Sequence, residues 1–189
     1  IVPIGKWVVD ESLRAAARWQ ERGPQQVSIN VSATQMRSAE FVDHVRSSLA
    51  TFSIDPGRVT LEITETMLVE EIESSSGHLA DLRSLGVLIA LDDFGTGYCS
   101  LSYLQRFPVD VLKIDRQFIQ ELGEEPRQAT LAKMILQLTS GLDMVSVAEG
   151  IERPAQLRAL QELGCDLGQG HLLSPPLEAV ELERRFGVA

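Results

Sequence analysis

Short apolar runs recur along the chain with helical patterns between them, and this alternation constrains the fold more than any other feature. Val27–Val31, Val59–Ile63, Val87–Leu91, Val109–Ile114 and Met144–Ala148 are rich in β-branched residues. Val87–Leu91 is unbroken and the others carry only isolated polar residues between apolar ones, and each is expected to be a strand buried on both faces. A weaker sixth run covers Cys165–Gly168, just before Gln169. The intervening helices have recognisable ends. Lys6–Arg22 stops at Gly23-Pro24, Ala39–Phe52 follows Ser38 as an N-cap, and Ser76–Leu85 stops at Gly86. Arg127–Ser140 follows Pro126 and stops at Gly141, and Pro154–Leu163 ends at Gly164. Proline at the start and glycine past the end is the usual asymmetry of helix termini.

Strands alternating with helices predict parallel βα architecture, either an open doubly wound sheet or a (β/α)8 TIM-like barrel. No GxGxxG follows the first strand, so a dinucleotide-binding open sheet has no support. Asn30, Glu62, Asp92, Asp93, Lys113, Glu149 and Gln169 fall at or just beyond the C-terminal ends of successive predicted strands. Barrel enzymes build active sites on that face from many strands at once, whereas an open sheet concentrates them at one switch point. About six βα units are visible where a barrel needs eight, which predicts a barrel incomplete at its N-terminus.

Bulk properties narrow the function. The chain has 189 residues, a net charge of −10 and two cysteines, Cys99 and Cys165, in no CxxC arrangement. The charge argues against a nucleic-acid polymer as partner. The cysteines argue against a disulfide scaffold or zinc site and fit a reducing cytoplasm. No apolar run reaches the roughly 18 residues of a membrane span. An acidic chain that takes a phosphate ligand is expected to carry divalent cations.

The chemistry-bearing residues fit that expectation. Glu62 lies inside an apolar run, where an unpaired carboxylate is costly; a glutamate salt-bridged inside the barrel is the structural alternative. Glu65 is expected to hold a loop or lie on the surface. Asp92 and Asp93 are adjacent carboxylates that repel one another unless a cation lies between them, although one could simply cap the next turn. Gly95-Thr96-Gly97 follows, a short glycine loop whose N–H groups could approach phosphate. Lys113 sits among Val111, Leu112 and Ile114, where a surface lysine is out of place; in a barrel mouth it can orient water or offset phosphate charge. Glu149 and Glu152 follow another strand, and Asn30 offers a neutral oxygen. His44, His78 and His171 form no zinc spacing. Oxygen-only ligation suits Mg²⁺ or Mn²⁺, and two such ions would support metal-dependent phosphoester hydrolysis.

Asn30-Val31-Ser32, Glu62-Ile63-Thr64-Glu65, Asp92-Asp93-Phe94-Gly95-Thr96-Gly97-Tyr98, Lys113-Ile114-Asp115, Ala148-Glu149-Gly150-Ile151-Glu152 and Gln169-Gly170 resemble, in order and spacing, the signature of the EAL-domain cyclic-di-GMP phosphodiesterases. The resemblance runs from Ile1 to about Leu177. It implies a modified barrel that hydrolyses cyclic-di-GMP to linear pGpG with two Mg²⁺ or Mn²⁺ ions in bacterial second-messenger signalling. By the same resemblance Asn30, Glu62 and Asp92 hold one metal, and Asp92 bridges to a second held also by Asp93 and Glu149. Lys113 positions the attacking water, Glu152 supports catalysis, Gln169 and Asp115 contact substrate, and Glu65 anchors the loop carrying Gly95, Thr96 and Gly97. A homodimer is expected too, and sensory or GGDEF domains in a longer cytoplasmic or membrane-anchored parent are compatible with the resemblance.

Departures from the family pattern accompany the match. The Glu-x-Leu motif and its substrate-binding arginine belong before Ile1, so the stretch is expected to lack one ligand of its first metal and to turn over only within its parent. Cys99 stands where serine is frequent, His171 where an aromatic is usual, and Pro175-Pro176 where a polar residue plus proline is common. A catalytically silent member acting as a cyclic-di-GMP receptor or protein-interaction module is the alternative.

Overall fold

The structure is a computed structural model that describes residues 1–19, 26–74, 77–95, 104, 107, 109–122, 126–185 and 187. Two compact units divide the chain, residues 1–90 and residues 91–187.

In the first unit, β1 (Val27–Asn30) and β2 (Val59–Thr64) pair in parallel with Val27 opposite Val59 and Asn30 opposite Glu62. The first five residues of β2 are all buried, the polar Thr60 and Glu62 among them. Helix α1 (Val2–Trp19) buries Val9, Leu13 and Ala16 along one stripe and packs on β1 and on α3 (Phe41–Phe52), which buries Phe41, Val42, Val45 and Leu49. Between them a single turn, α2 (Ala33–Met36), is closed by a capping box of Ser32 and Gln35.

Several predicted boundaries move. Helix α1 begins at Val2 and not at Lys6, because Pro3 is tolerated in a first turn that needs no N–H from it. Its predicted stop at Gly23-Pro24 lies outside the described residues. Ser38 is not the N-cap of α3: Glu40 occupies that position without a side-chain bond, and Ser38 takes part through its carbonyl, which accepts from Phe41 N at 3.0 Å. After β2 the chain enters α4 (Glu65–Ser74) directly, a helix absent from the sequence expectation, and α5 (His78–Ser84) starts after Gly77.

In the second unit β4 (Val111–Ile114), β5 (Val145–Ala148) and β6 (Leu167–Gly168) are parallel, with Lys113 opposite Val147 and Ala148 opposite Gly168. Leu112 and Ile114 are wholly buried, each contributing roughly 2–3 kcal/mol of apolar burial. Three helices complete it among the described residues: α6 (Pro126–Gly141), α7 (Pro154–Glu162) and α8 (Ala179–Arg185). A 3-10 turn, Arg116–Phe118, follows β4 and is capped by Asp115 Oδ1, which accepts from Gln117 N at 2.8 Å.

Strand β3 (Leu88–Phe94) starts in the first unit and ends in the second. It runs three residues beyond the predicted Leu91, so Asp92 and Asp93 belong to the strand itself. Strand β4 starts two residues later than predicted, since Val109 N turns back to Phe107 O at 2.9 Å. No helix among the described residues is long and apolar enough to cross a membrane.

Candidate active site

Successive residues of a strand point to opposite faces, so Asp92 and Asp93 on a regular β3 would diverge. Asp93 breaks the alternation with a left-handed φ of 54°, a conformation that Asp tolerates better than most residues. Its N–H donates to Asp92 Oδ1 at 3.0 Å. Glu149 sits one residue past β5, its N–H donating to Ile114 O at 3.1 Å. As a result Asp92, Asp93 and Glu149 each offer a carboxylate oxygen, and these oxygens lie within 4.8 Å of one another.

Lys113 penetrates this cluster from β4. Its Nζ is 2.9 Å from Asp92 Oδ1 and 2.7 Å from Glu149 Oε1, and the residue is only 5% exposed, which rules out the surface alternative. Gln169, one residue past β6, donates through Nε2 to Glu149 Oε1 at 2.8 Å. One ammonium therefore faces three carboxylates. The Asp93 carboxyl is pushed above its ordinary value by burial first and by repulsion from Asp92 and Asp115 next, against the opposing pull of Lys113. An all-oxygen donor set with surplus negative charge fits a hard divalent cation.

Beside the cluster opens a cleft of about 500 Å³, lined by Asp93, Asp115, Arg116, Glu149 and Gln169, with His171 and Pro175-Pro176 also on its wall. Two glycines let its loops close on one another. A Cβ on Gly150, at φ 68°, would lie 2.6 Å from Arg116 Cβ, and one on Gly170 would lie 2.2 Å from the backbone N and O of Ile151. Arg116 brings a guanidinium to a wall otherwise rich in carboxylates. Sequence reasoning missed it; the available signal was a basic residue immediately after the strand-end Lys-Ile-Asp.

The remaining candidates are placed as follows. Asn30 ends β1 and stands opposite Glu62 in the parallel register; Glu62 is buried at 7% exposure while Asn30 is exposed. Glu65 is the first residue of α4 and is 4% exposed, so the surface alternative fails for it. Glu152 is exposed and does not line the cleft among the described residues. Gly95 directly follows β3, whereas Thr96 and Gly97 lie outside the described residues. His44 and His78 meet the backbone oxygens of Lys6 and Met36, at 3.3 and 2.7 Å, in keeping with structural roles.

The family model described as EAL domain matches residues 1–176. Among curated proteins, the bifunctional diguanylate cyclase/cyclic di-GMP phosphodiesterase MucR of Pseudomonas aeruginosa is 42% identical over 184 residues, which make up 96% of this chain and 27% of that protein. The chain spans about a quarter of the length of the curated relatives it matches. Among solved structures, the PaMucR phosphodiesterase in complex with c-di-GMP superposes with a TM-score of 0.90 at 42% identity, covering 96% of this chain and 74% of that one. The EAL domain of Mycobacterium smegmatis DcpA gives 0.91 at 37% identity, covering 98% and 84%. The fold is accordingly of (β/α)8 barrel class, with six parallel strands among the described residues. Sequence motifs, strand order and these likenesses agree, and the chain belongs to the EAL domain family.

Proposed function

We propose that this domain hydrolyses cyclic-di-GMP to linear pGpG with two Mg²⁺ or Mn²⁺ ions, in bacterial second-messenger signalling. The observation that carries the reading is the convergence of Asp92, Asp93 and Glu149 oxygens within 4.8 Å, beside an open cleft of about 500 Å³. Asp92, Asp93 and Glu149 would hold the ions, with Asp92 as the bridging carboxylate, and the family resemblance carries metal ligation also to Asn30 and Glu62. When bound, such a pair of hard ions would activate water and stabilise the charge that develops on a phosphodiester.

The chain's own residues do the rest. Lys113 Nζ, held between Asp92 and Glu149, orients the attacking water and offsets phosphate charge. Arg116 on the cleft wall meets the anionic backbone of the dinucleotide, and Asp115 and Gln169 contact its polar edges. The family resemblance gives Glu152 a supporting role in catalysis and Glu65 a loop-anchoring role. Water adds across one phosphodiester: its oxygen ends on phosphorus, the bond to the 3′-oxygen breaks, and a proton goes to that oxygen. The relatives' greater length suits further sensory or GGDEF domains in the same polypeptide, and the family resemblance carries the homodimer.

The test is incubation with cyclic-di-GMP and Mn²⁺, with products separated by chromatography, for this chain and for the longer protein that its relatives' length suggests. Formation of pGpG that stops in excess EDTA supports the reading. Turnover undiminished by EDTA contradicts the two-metal chemistry, and binding without product identifies a receptor instead.

A further inference from the structure

Gln156, on α7, is 2% exposed and uses both ends of its amide. Its Oε1 accepts from Glu152 N at 2.9 Å and from Arg153 N at 2.8 Å. Its Nε2 donates to Ile119 O at 3.0 Å and to Gln120 O at 3.1 Å. One carboxamide thus ties together two segments of the same unit. The first follows β5 and carries Glu149 and Glu152; the second follows β4 and carries Asp115 and Arg116. Those segments meet again where Gly150 admits Arg116, and where the Arg153 guanidinium donates to Gln120 O.

Helix capping alone does not account for this. Gln156 occupies the third position of α7, from which a glutamine commonly reaches back to the N-cap N–H, here that of Arg153. The bonds to Glu152 N and to the two carbonyls go beyond a cap. A buried amide with four partners fixes the relative placement of the segments it joins, since losing any partner strands a buried polar group.

We propose that Gln156 is a positioning residue for the metal site: it holds the segment of Glu149 and Glu152 against that of Asp115 and Arg116. The proposal rests on the metal-dependent reading above. Groups that orient metal ligands from behind typically change metal affinity by 10–100-fold when removed, and Gln156 acts at one remove, through the backbone three and four residues past Glu149.

The test uses this chain with Gln156→Met, which keeps the volume and removes all four bonds, and with Gln156→Glu, which keeps the oxygen that accepts both N–H groups. Mn²⁺ affinity is measured by calorimetry and amide exchange by NMR. Gln156→Met should bind Mn²⁺ about ten-fold more weakly. It should lose protection at the Glu152 and Arg153 amides while β4 and β5 stay protected. Gln156→Glu should restore those two amides and return an intermediate affinity. Wild-type affinity in both variants, or a loss of protection spread evenly over the unit without rescue, overturns the proposal. Should Gln156→Met fail to fold, an intermediate affinity in Gln156→Glu supports the proposal and wild-type affinity overturns it. A wild-type chain that binds no Mn²⁺ overturns the metal reading, and the positioning role falls with it; this is distinct from binding that both variants share.

Discussion

Lys113 Nζ lies 2.7 Å from Glu149 Oε1, and the two side chains are 6% and 16% exposed. Lys113 stands opposite Val147 in the parallel register, so its long stem reaches two residues up the neighbouring strand to find this partner. The same ammonium is 2.9 Å from Asp92, and it therefore supplies positive charge to two carboxylates at once. Removing it takes the Lys113 charge away from both, although Gln169 Nε2 and Asp93 N still donate to them. Lys113→Met should destabilise the metal-free chain by about 3 kcal/mol, as expected when one member of a buried ion pair is lost. Mn²⁺ should then raise the melting temperature of the variant by more than it raises that of wild type. Thermal unfolding with and without Mn²⁺ decides this, and a smaller shift in the variant would contradict it.

Asp92 is predicted to be indispensable for metal binding in a way that Asp115 is not. A neutral amide at position 92 still accepts a hydrogen bond from Asp93 N but cannot balance a cation. Asp92→Asn should weaken Mn²⁺ binding more than ten-fold in a calorimetric titration and leave less than a tenth of any phosphodiesterase rate, a barrier increase above about 1.4 kcal/mol. Asp115→Asn keeps the oxygen that caps Gln117 N and should retain Mn²⁺ binding near the wild-type level. Equal losses in both variants would mean that general acidity, and not ligation, draws the metal.

How far the site was foreseeable depends on which physical level places each residue. β1 to β5 were visible as short β-branched runs between helical patterns. β2, β3 and β4 are buried along most of their length as expected, whereas β1 and β5 keep exposed residues and are not buried on both faces. A charge at a buried strand's end has few harmless explanations. That logic singled out Asp92, Asp93, Lys113 and Glu149, while Gln169 followed only from the weaker sixth run, whose two strand residues are exposed. It could not show that Asp93 takes a left-handed φ, on which the meeting of the carboxylates depends. Glu65 was ambiguous because no cap or turn residue separates β2 from α4. Ser38 carried the composition of a cap, but the turn used its carbonyl instead. Gln156 looks like any polar residue near a helix start; only the tertiary closure of two loops over it makes it a buried hub. Arg116 gained a role from the cleft alone.

Gly150 separates backbone strain from crowding. Alanine there meets both a φ of 68° and the Cβ of Arg116 at 2.6 Å, whereas alanine at Gly164 meets a φ of 78° with nothing within 4 Å. A left-handed alanine costs about 1–2 kcal/mol. Gly164→Ala should lose roughly that much in urea unfolding, and Gly150→Ala should lose more while also weakening Mn²⁺ binding, because the segment holding Glu149 is displaced from Arg116. Equal losses at the two positions would show that the approach of these segments is not constrained.

Asp166 should make stability depend on pH in one direction only. Its Oδ2 accepts from Ser146 Oγ at 2.6 Å and from Ser146 N at 2.9 Å, which ties the start of β6 to β5. The Ser146 hydroxyl, then the Ser146 N–H, hold the carboxyl below its ordinary value, with burial opposing. An unfolded aspartate titrates near pH 3.9. Well above that pH both states are ionised and the tie contributes fully. As the pH falls below about 3.9 the unfolded chain takes up its proton first, and the contribution declines until the folded carboxyl is protonated too. Asp166→Ala should therefore be less stable than wild type by a constant amount near neutrality, and the gap should shrink below about pH 4. Urea midpoints across that range give the answer. A gap that persists undiminished at the lowest pH would show that Ser146 is held by something other than the carboxylate's charge.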